Sequence, residues 1–158
     1  MANQRSSGSP LGGDGSEFVV QLPAREPTVE AQASTRTRRI VIVEDNEDVR
    51  TVLQEVLELM GHRVASAGDG ESGYATIRQF RPEVALIDLG LPILDGYGLA
   101  ARVRADDPHT RLVALTGYGQ PEQRRRALEA GFDLLIVKPL DPDTLPDILD
   151  RIDGLPAK

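Results

Sequence analysis

Val84-Ala85-Leu86-Ile87-Asp88-Leu89-Gly90-Leu91-Pro92 places four apolar residues in a row, then a carboxylate, then a Gly/Pro turn. A short unbroken apolar run bounded by turn residues predicts a strand buried on both faces, as in a parallel sheet. Asp88 then stands at the carboxyl end of that strand. In open α/β sheets the crevice outside those strand ends is where ligands bind. A carboxylate there is either a cap for the following turn or a reactive group. The flanking segments distinguish the two.

Upstream, Ile40-Val41-Ile42-Val43 is a β-branched strand running into Glu44-Asp45-Asn46. Val49, Val52, Leu53, Val56, Leu57 and Met60 recur at helical spacing, and Gly61 stops that helix. His62 to Ala67 reads as a second strand and Gly70 to Phe80 as a helix. Downstream of Asp88 a loop runs to Asp95, and a helix extends to about Arg104 before Asp106-Asp107-Pro108 breaks it. Arg111 to Thr116 is a fourth strand, and Pro121 to Ala130 a helix with Gly131 as its stop. Leu134 to Val137 is a fifth strand, followed by Lys138-Pro139. The last helix carries Leu145, Ile148, Leu149 and Ile152. Its start is ambiguous, because Pro146 follows Pro142 too closely for one regular helix. Either the first turn is distorted or Thr144 caps a later start, and the second is favoured. Five βα units in succession predict a flavodoxin-like (βα)5 three-layer sandwich with parallel strand order 2-1-3-4-5.

The totals bound the function. A chain of 158 residues holds one domain and a tail, and 40% apolar with 27% charged residues suits a globular protein. A net charge of −7 argues against sequence-independent nucleic-acid binding, which needs clustered Lys and Arg, so no nucleic-acid partner is expected. With no cysteine, disulfides and thiolate metal sites are excluded. His62 and His109 lack metal-ligand spacing and read as surface or edge residues. No apolar run reaches the ~18 residues of a membrane span, and the N-terminus has no signal core. The expected setting is cytoplasmic, with no direct membrane contact, although a full-length parent protein could be membrane-attached.

The predicted topology sets the first and third strands side by side. Glu44 and Asp45 then meet Asp88 at one sheet edge, where Thr116 and Lys138 also end their strands. Each alone has a plain reading: helix-dipole acids, a strand-end hydroxyl, a surface lysine. Together they form a set. Three close carboxylates are costly without a cation, and Mg2+ accepts a few carboxylates while keeping waters. A carboxylate is also a competent nucleophile toward phosphorus. Phosphoryl transfer needs charge stabilisation that Mg2+, Lys138 and Thr116 could supply.

Residues 39–153 resemble the receiver domain of two-component response regulators, through Glu44-Asp45, Asp88 with Pro92 and Gly96, Thr116 and Lys138-Pro139. The resemblance implies that Asp88 accepts a phosphoryl group from the phosphohistidine of a histidine kinase or histidine phosphotransfer domain. It implies that Asp45, Asp88 and the Gly90 carbonyl hold Mg2+, with Glu44 helping through water. It implies that Lys138 pairs with the phosphoryl group, that Thr116 moves to contact it, and that the Lys138–Pro139 bond is cis. Such a domain is a monomer or weak dimer and not an enzyme on external substrates. There are departures. Many members have Asp where Glu44 stands. The family also usually places Tyr or Phe three residues before the lysine, as a switch. Here that residue is Leu135, which has no ring to swing.

Residues 1–38 read as a disordered tail or linker, and 154–158 as a C-terminal tail. Within the first, Gly13-Asp14-Gly15-Ser16-Glu17-Phe18-Val19-Val20-Gln21-Leu22-Pro23 resembles the last strand of a histidine kinase ATP-binding domain. That would make this chain the C-terminal receiver of a hybrid histidine kinase, ending with no output domain after its last helix. A native linker or an expression tag accounts for the same residues. A free-standing single-domain regulator and a pseudo-receiver scaffold are the alternatives. An aspartyl-phosphate phosphatase is disfavoured, because its second Asp, two residues after the nucleophile, is Gly90 here. Gly68-Asp69-Gly70-Glu71-Ser72-Gly73 fits G-x-G-x-x-G but sets two acids where a pyrophosphate would sit, so it reads as a turn and helix start. Arg124-Arg125-Arg126 reads as a solvated helix face in preference to a partner-facing patch.

Overall fold

The computed structural model describes residues 36–156. The motif in residues 13–23 lies outside them. Strands β1 (Arg39–Val43), β2 (Arg63–Ala67), β3 (Val84–Asp88), β4 (Arg111–Thr116) and β5 (Leu134–Val137) form one sheet. Its order is β2-β1-β3-β4-β5, all parallel, as the alternation of strands and helices predicts. The helices are α1 (Glu47–Leu59), α2 (Gly70–Phe80), α3 (Gly96–Asp106), α4 (Pro121–Ala130) and α5 (Leu145–Asp153).

Strand periodicity sorts the core into two layers. Ile40, Ile42, Leu86, Val113 and Leu115 face one way and meet Leu53 and Leu57 of α1 with Leu145, Ile148, Leu149 and Ile152 of α5. Val41, Val43, Ala85, Ile87 and Ala114 face the other way and meet Ile77 of α2, Leu99 and Val103 of α3 and Ala127 of α4. β3 is buried at every position, which is why it reads as a continuous apolar run.

Local signals explain the boundaries. Asn46, Asp69 and Asp95 each cap a helix, their side chains accepting from the backbone N–H of Val49, Ser72 and Gly98. The Asp69 cap makes the glycine-rich stretch a helix start, as expected. Gly61 and Gly131 end α1 and α4 with φ of +97° and +111°.

Four expectations need correction. α3 continues to Asp106, two residues beyond Arg104, before Pro108 takes effect. Only Leu53 and Leu57 of the α1 stripe are buried outright. Val49 and Val52 are exposed, because the Leu53–Leu57 side of the stripe is the one that packs on the sheet. His62 is buried, and its Nδ1 accepts from the backbone N–H of Arg38. At the start of α5 both alternatives hold in part. Pro142–Thr144 form a 3-10 turn and α5 begins at Leu145, but the Thr144 hydroxyl donates backward to the Asp141 carbonyl instead of capping. The cap is Asp141, whose side chain accepts from the N–H of Asp143.

Candidate functional site

Register brings the candidate residues to one edge. Val43 pairs with Ile87, Asp88 with Leu115, and Thr116 with Val137. Glu44, Asp88, Thr116 and Lys138 therefore sit at or one residue past the carboxyl ends of β1, β3, β4 and β5. Backbone bonds fix that edge. The Glu44 N–H donates to the Ala67 carbonyl, Leu89 to Leu115, and Lys138 to Thr116. The Lys138–Pro139 bond is cis, as expected.

Glu44 is 1% exposed, and both its oxygens are engaged. Oε1 accepts from Lys138 Nζ at 2.9 Å and Oε2 from the Asn46 N–H at 3.2 Å. Burial pushes its carboxyl up from the ordinary value, and the Asp88 charge adds to this; Lys138 and the Asn46 amide pull the other way. Lys138 also lies 3.5 Å from Asp88 Oδ1. Partial burial opposes its charge, but the bond to Glu44 and the Asp88 charge outweigh that and hold the ammonium above its usual range.

Asp88 is 8% exposed, and its Oδ1 also accepts from the Gly90 N–H at 3.1 Å. Asp45 is exposed beside it. Carboxylate oxygens of Glu44, Asp45 and Asp88 lie within 4.8 Å of one another. Three hard oxygen donors that close suit Mg2+. Gly90 is exposed, and a Cβ added there would meet only Asp88 Oδ1 at 3.9 Å; at Gly117 it would meet nothing within 4 Å. Both glycines line the cavity that Asp88 lines, and neither adds a side chain to it.

Thr116 is buried, and its hydroxyl is engaged by Tyr118 and Gln123. Its hydroxyl accepts from the Tyr118 N–H at 3.2 Å and faces two acceptors, the Tyr118 carbonyl at 3.0 Å and Gln123 Oε1 at 3.4 Å. One hydroxyl proton serves only one acceptor at a time. Leu135 is half-buried and packs into the core layer under α2, α3 and α4. Sequence reasoning missed Gln123 and Tyr97, which line a cavity of about 300 Å³ with Asp88, Thr116 and Arg126. The Arg124–Arg126 run was a signal. Helix α4 carries too few apolar residues for its inward face to be read from the pattern.

The family profile of the response regulator receiver domain matches residues 40–150. The chain belongs to that family. Solved receivers share its architecture. Vibrio cholerae chemotaxis protein CheY4 is 26% identical with a TM-score of 0.70, over 74% of this chain and 99% of that one. The receiver domain of Pseudomonas aeruginosa sensor histidine kinase PA1611 is 31% identical with a TM-score of 0.68, over 76% of this chain and 100% of that one. That structure has a magnesium ion coordinated in its active-site cleft. Among curated relatives, the probable transcriptional regulator ycf27 of Guillardia theta is 35% identical over 107 residues, 68% of this chain and 42% of that protein. The receiver thus spans less than half of the length of such relatives. Since these are named as transcriptional regulators, the expectation of no nucleic-acid partner is left without support. Receiver domains interact with histidine kinases. Among the described residues no helix is long and apolar enough to cross a membrane.

Proposed function

We infer that this receiver is a live phosphoacceptor in a two-component relay, with Asp88 as the accepting group. The observation that carries this is the clustering of Glu44, Asp45, Asp88 and Lys138 at the carboxyl edge of the sheet. An Asp88 carboxylate oxygen attacks phosphorus, the P–N bond of a phosphohistidine breaks, and the imidazole nitrogen leaves with the electron pair. Asp45, Asp88 and the Gly90 carbonyl would hold Mg2+, with Glu44 behind; bound there, it neutralises phosphoryl oxygens. Lys138 exchanges its contact with Asp88 for one with the phosphoryl group, and Thr116 turns from Tyr118 toward it. Water later cleaves the acyl phosphate, returning the carboxylate and inorganic phosphate. The space at Gly90 and Gly117 favours short-lived phosphorylation, and a state lasting hours without a phosphatase would count against it.

The fit to a sensor-kinase receiver and the motif at residues 13–23 support a cytoplasmic receiver at the end of a hybrid histidine kinase. The transcriptional regulators among its relatives favour a second reading, a response regulator acting on transcription. Reading the gene on both sides of this chain separates the two. The chemistry is tested by mass spectrometry after incubation with Mg2+ and a small phosphodonor, then with a phosphohistidine donor. One phosphoryl group is expected on the parent and none on Asp88→Asn. If neither donor modifies the parent, the scaffold reading replaces this one.

A further inference from the structure

The cavity beside Asp88 is lined from α4 by Gln123 and Arg126, and neither Glu44 nor Asp45 lines it. Its wall carries one cation, Arg126. The Arg126 guanidinium lies 4.0 Å from the centroid of the Tyr97 ring, which lines the same cavity. Its neighbour Arg125 differs: that side chain is paired with Glu122 and Glu129 on the outer face of α4. Arg126 has no carboxylate partner among the described residues, while Asp88 is satisfied by Lys138 and the Gly90 amide. A guanidinium is therefore held on a ring, facing a cavity, beside a group that gains charge when modified. Its contact with the ring is weak at an exposed site, and a full anionic partner is stronger.

A phosphoryl group on Asp88 adds close to two negative charges and three strong acceptor oxygens. Lys138 and the carboxylate cluster serve one side of it. The α4 side is left to the Thr116 hydroxyl and whatever cation the cavity wall can offer. An arginine fork suits phosphate oxygens better than any other side chain. Arg126 and Gln123 are also three residues apart on α4, so they share a face, and Gln123 already touches Thr116.

We propose that Arg126 is a second phosphoryl-binding cation, resting on Tyr97 while Asp88 is a free carboxylate and turning into the cavity to pair with the phosphoryl oxygens once Asp88 is modified. The exchange breaks a side-chain contact between α3 and α4. It supplies a read-out in a receiver whose usual aromatic position is Leu135. The inference rests on Asp88 being the phosphoacceptor.

The test is titration of the whole chain with beryllium fluoride in the presence of Mg2+, as a phosphoryl mimic, followed by NMR of the Tyr97 and Thr116 resonances. Arg126→Gln is expected to weaken binding about five- to tenfold, the range of one partly exposed charge-assisted pair. Arg126→Lys should recover part of the loss, and Arg125→Gln should bind as the parent does. The salt dependence of binding should be smaller in Arg126→Gln than in the parent. A general loss of structure would not produce lysine rescue or a changed salt slope. Equal affinity and equal salt slope in the parent and Arg126→Gln overturn the proposal while leaving Asp88 as acceptor. If the parent itself neither binds the mimic nor gains a phosphoryl group, the phosphoacceptor reading fails and this inference falls with it.

Discussion

Glu44 and Lys138 are 94 positions apart, yet their 2.9 Å contact is the tightest side-chain link across the site. Removing the lysine leaves a buried carboxylate without its ammonium and next to a second one. Because Lys138 is part-exposed, the expected cost of Lys138→Ala is about 1–3 kcal/mol, below that of breaking a fully buried pair. Adding Glu44→Gln should restore part of it, since no uncompensated charge then remains. A double-mutant cycle by urea denaturation measures this, and strict additivity would deny the coupling. Gln123 makes the opposite kind of contact, long and replaceable. Gln123→Ala frees the Thr116 hydroxyl from one competing acceptor at ~0.5 kcal/mol. The phosphorylated fraction should then rise roughly twofold, as read by intact-mass spectrometry. A fall would mean that Gln123 assists the modified state.

Among the elements, α2 depends on a close approach that its sequence only hints at. A Cβ at Gly70 would overlap the carbonyl oxygen of Leu94, in the loop after β3. Backbone cannot yield as a flexible side chain can. Gly70→Ala should therefore destabilise by about 2–4 kcal/mol and disturb the loop that follows Asp88. A loss of unfolding free energy below ~0.5 kcal/mol by urea denaturation would show that the loop moves freely. The element boundaries were otherwise legible, because caps and stops are local chemistry: Asp69, Asp95, Gly61 and Gly131 act within a few residues of themselves. The start of α5 was less so. Two prolines and two hydroxyl or carboxyl caps compete there, and only the packing of Leu145 into the core settles where the regular helix begins.

For the whole domain, a carboxylate held below its ordinary range contributes to the acid limb of stability. Asp107 is such a group: the His109 N–H and the Thr110 hydroxyl both donate to it after α3. A carboxyl depressed in the fold stabilises above its unfolded pKa, and that contribution is lost as pH falls through the depressed value. Asp107→Asn should therefore be less stable than the parent at neutral pH, with the gap closing in acid below about pH 4. Urea midpoints across pH check the sign; a gap that widens in acid would reverse it.

The parallel sheet, its strand order and the alignment of Glu44, Asp88, Thr116 and Lys138 along one edge were all readable from the chain. They follow from periodicity, turn residues and crossover handedness, which are carried by neighbours in sequence. The folded packing alone turned Glu44 onto Lys138, tied Thr116 to Tyr118 and Gln123, set Arg126 on Tyr97, buried His62 and left Val49 and Val52 exposed. Those outcomes depend on side-chain rotamers and on which surfaces meet across elements distant in sequence. No local pattern encodes them, because the free energies that choose between rotamers arise only once the neighbouring helices are in place.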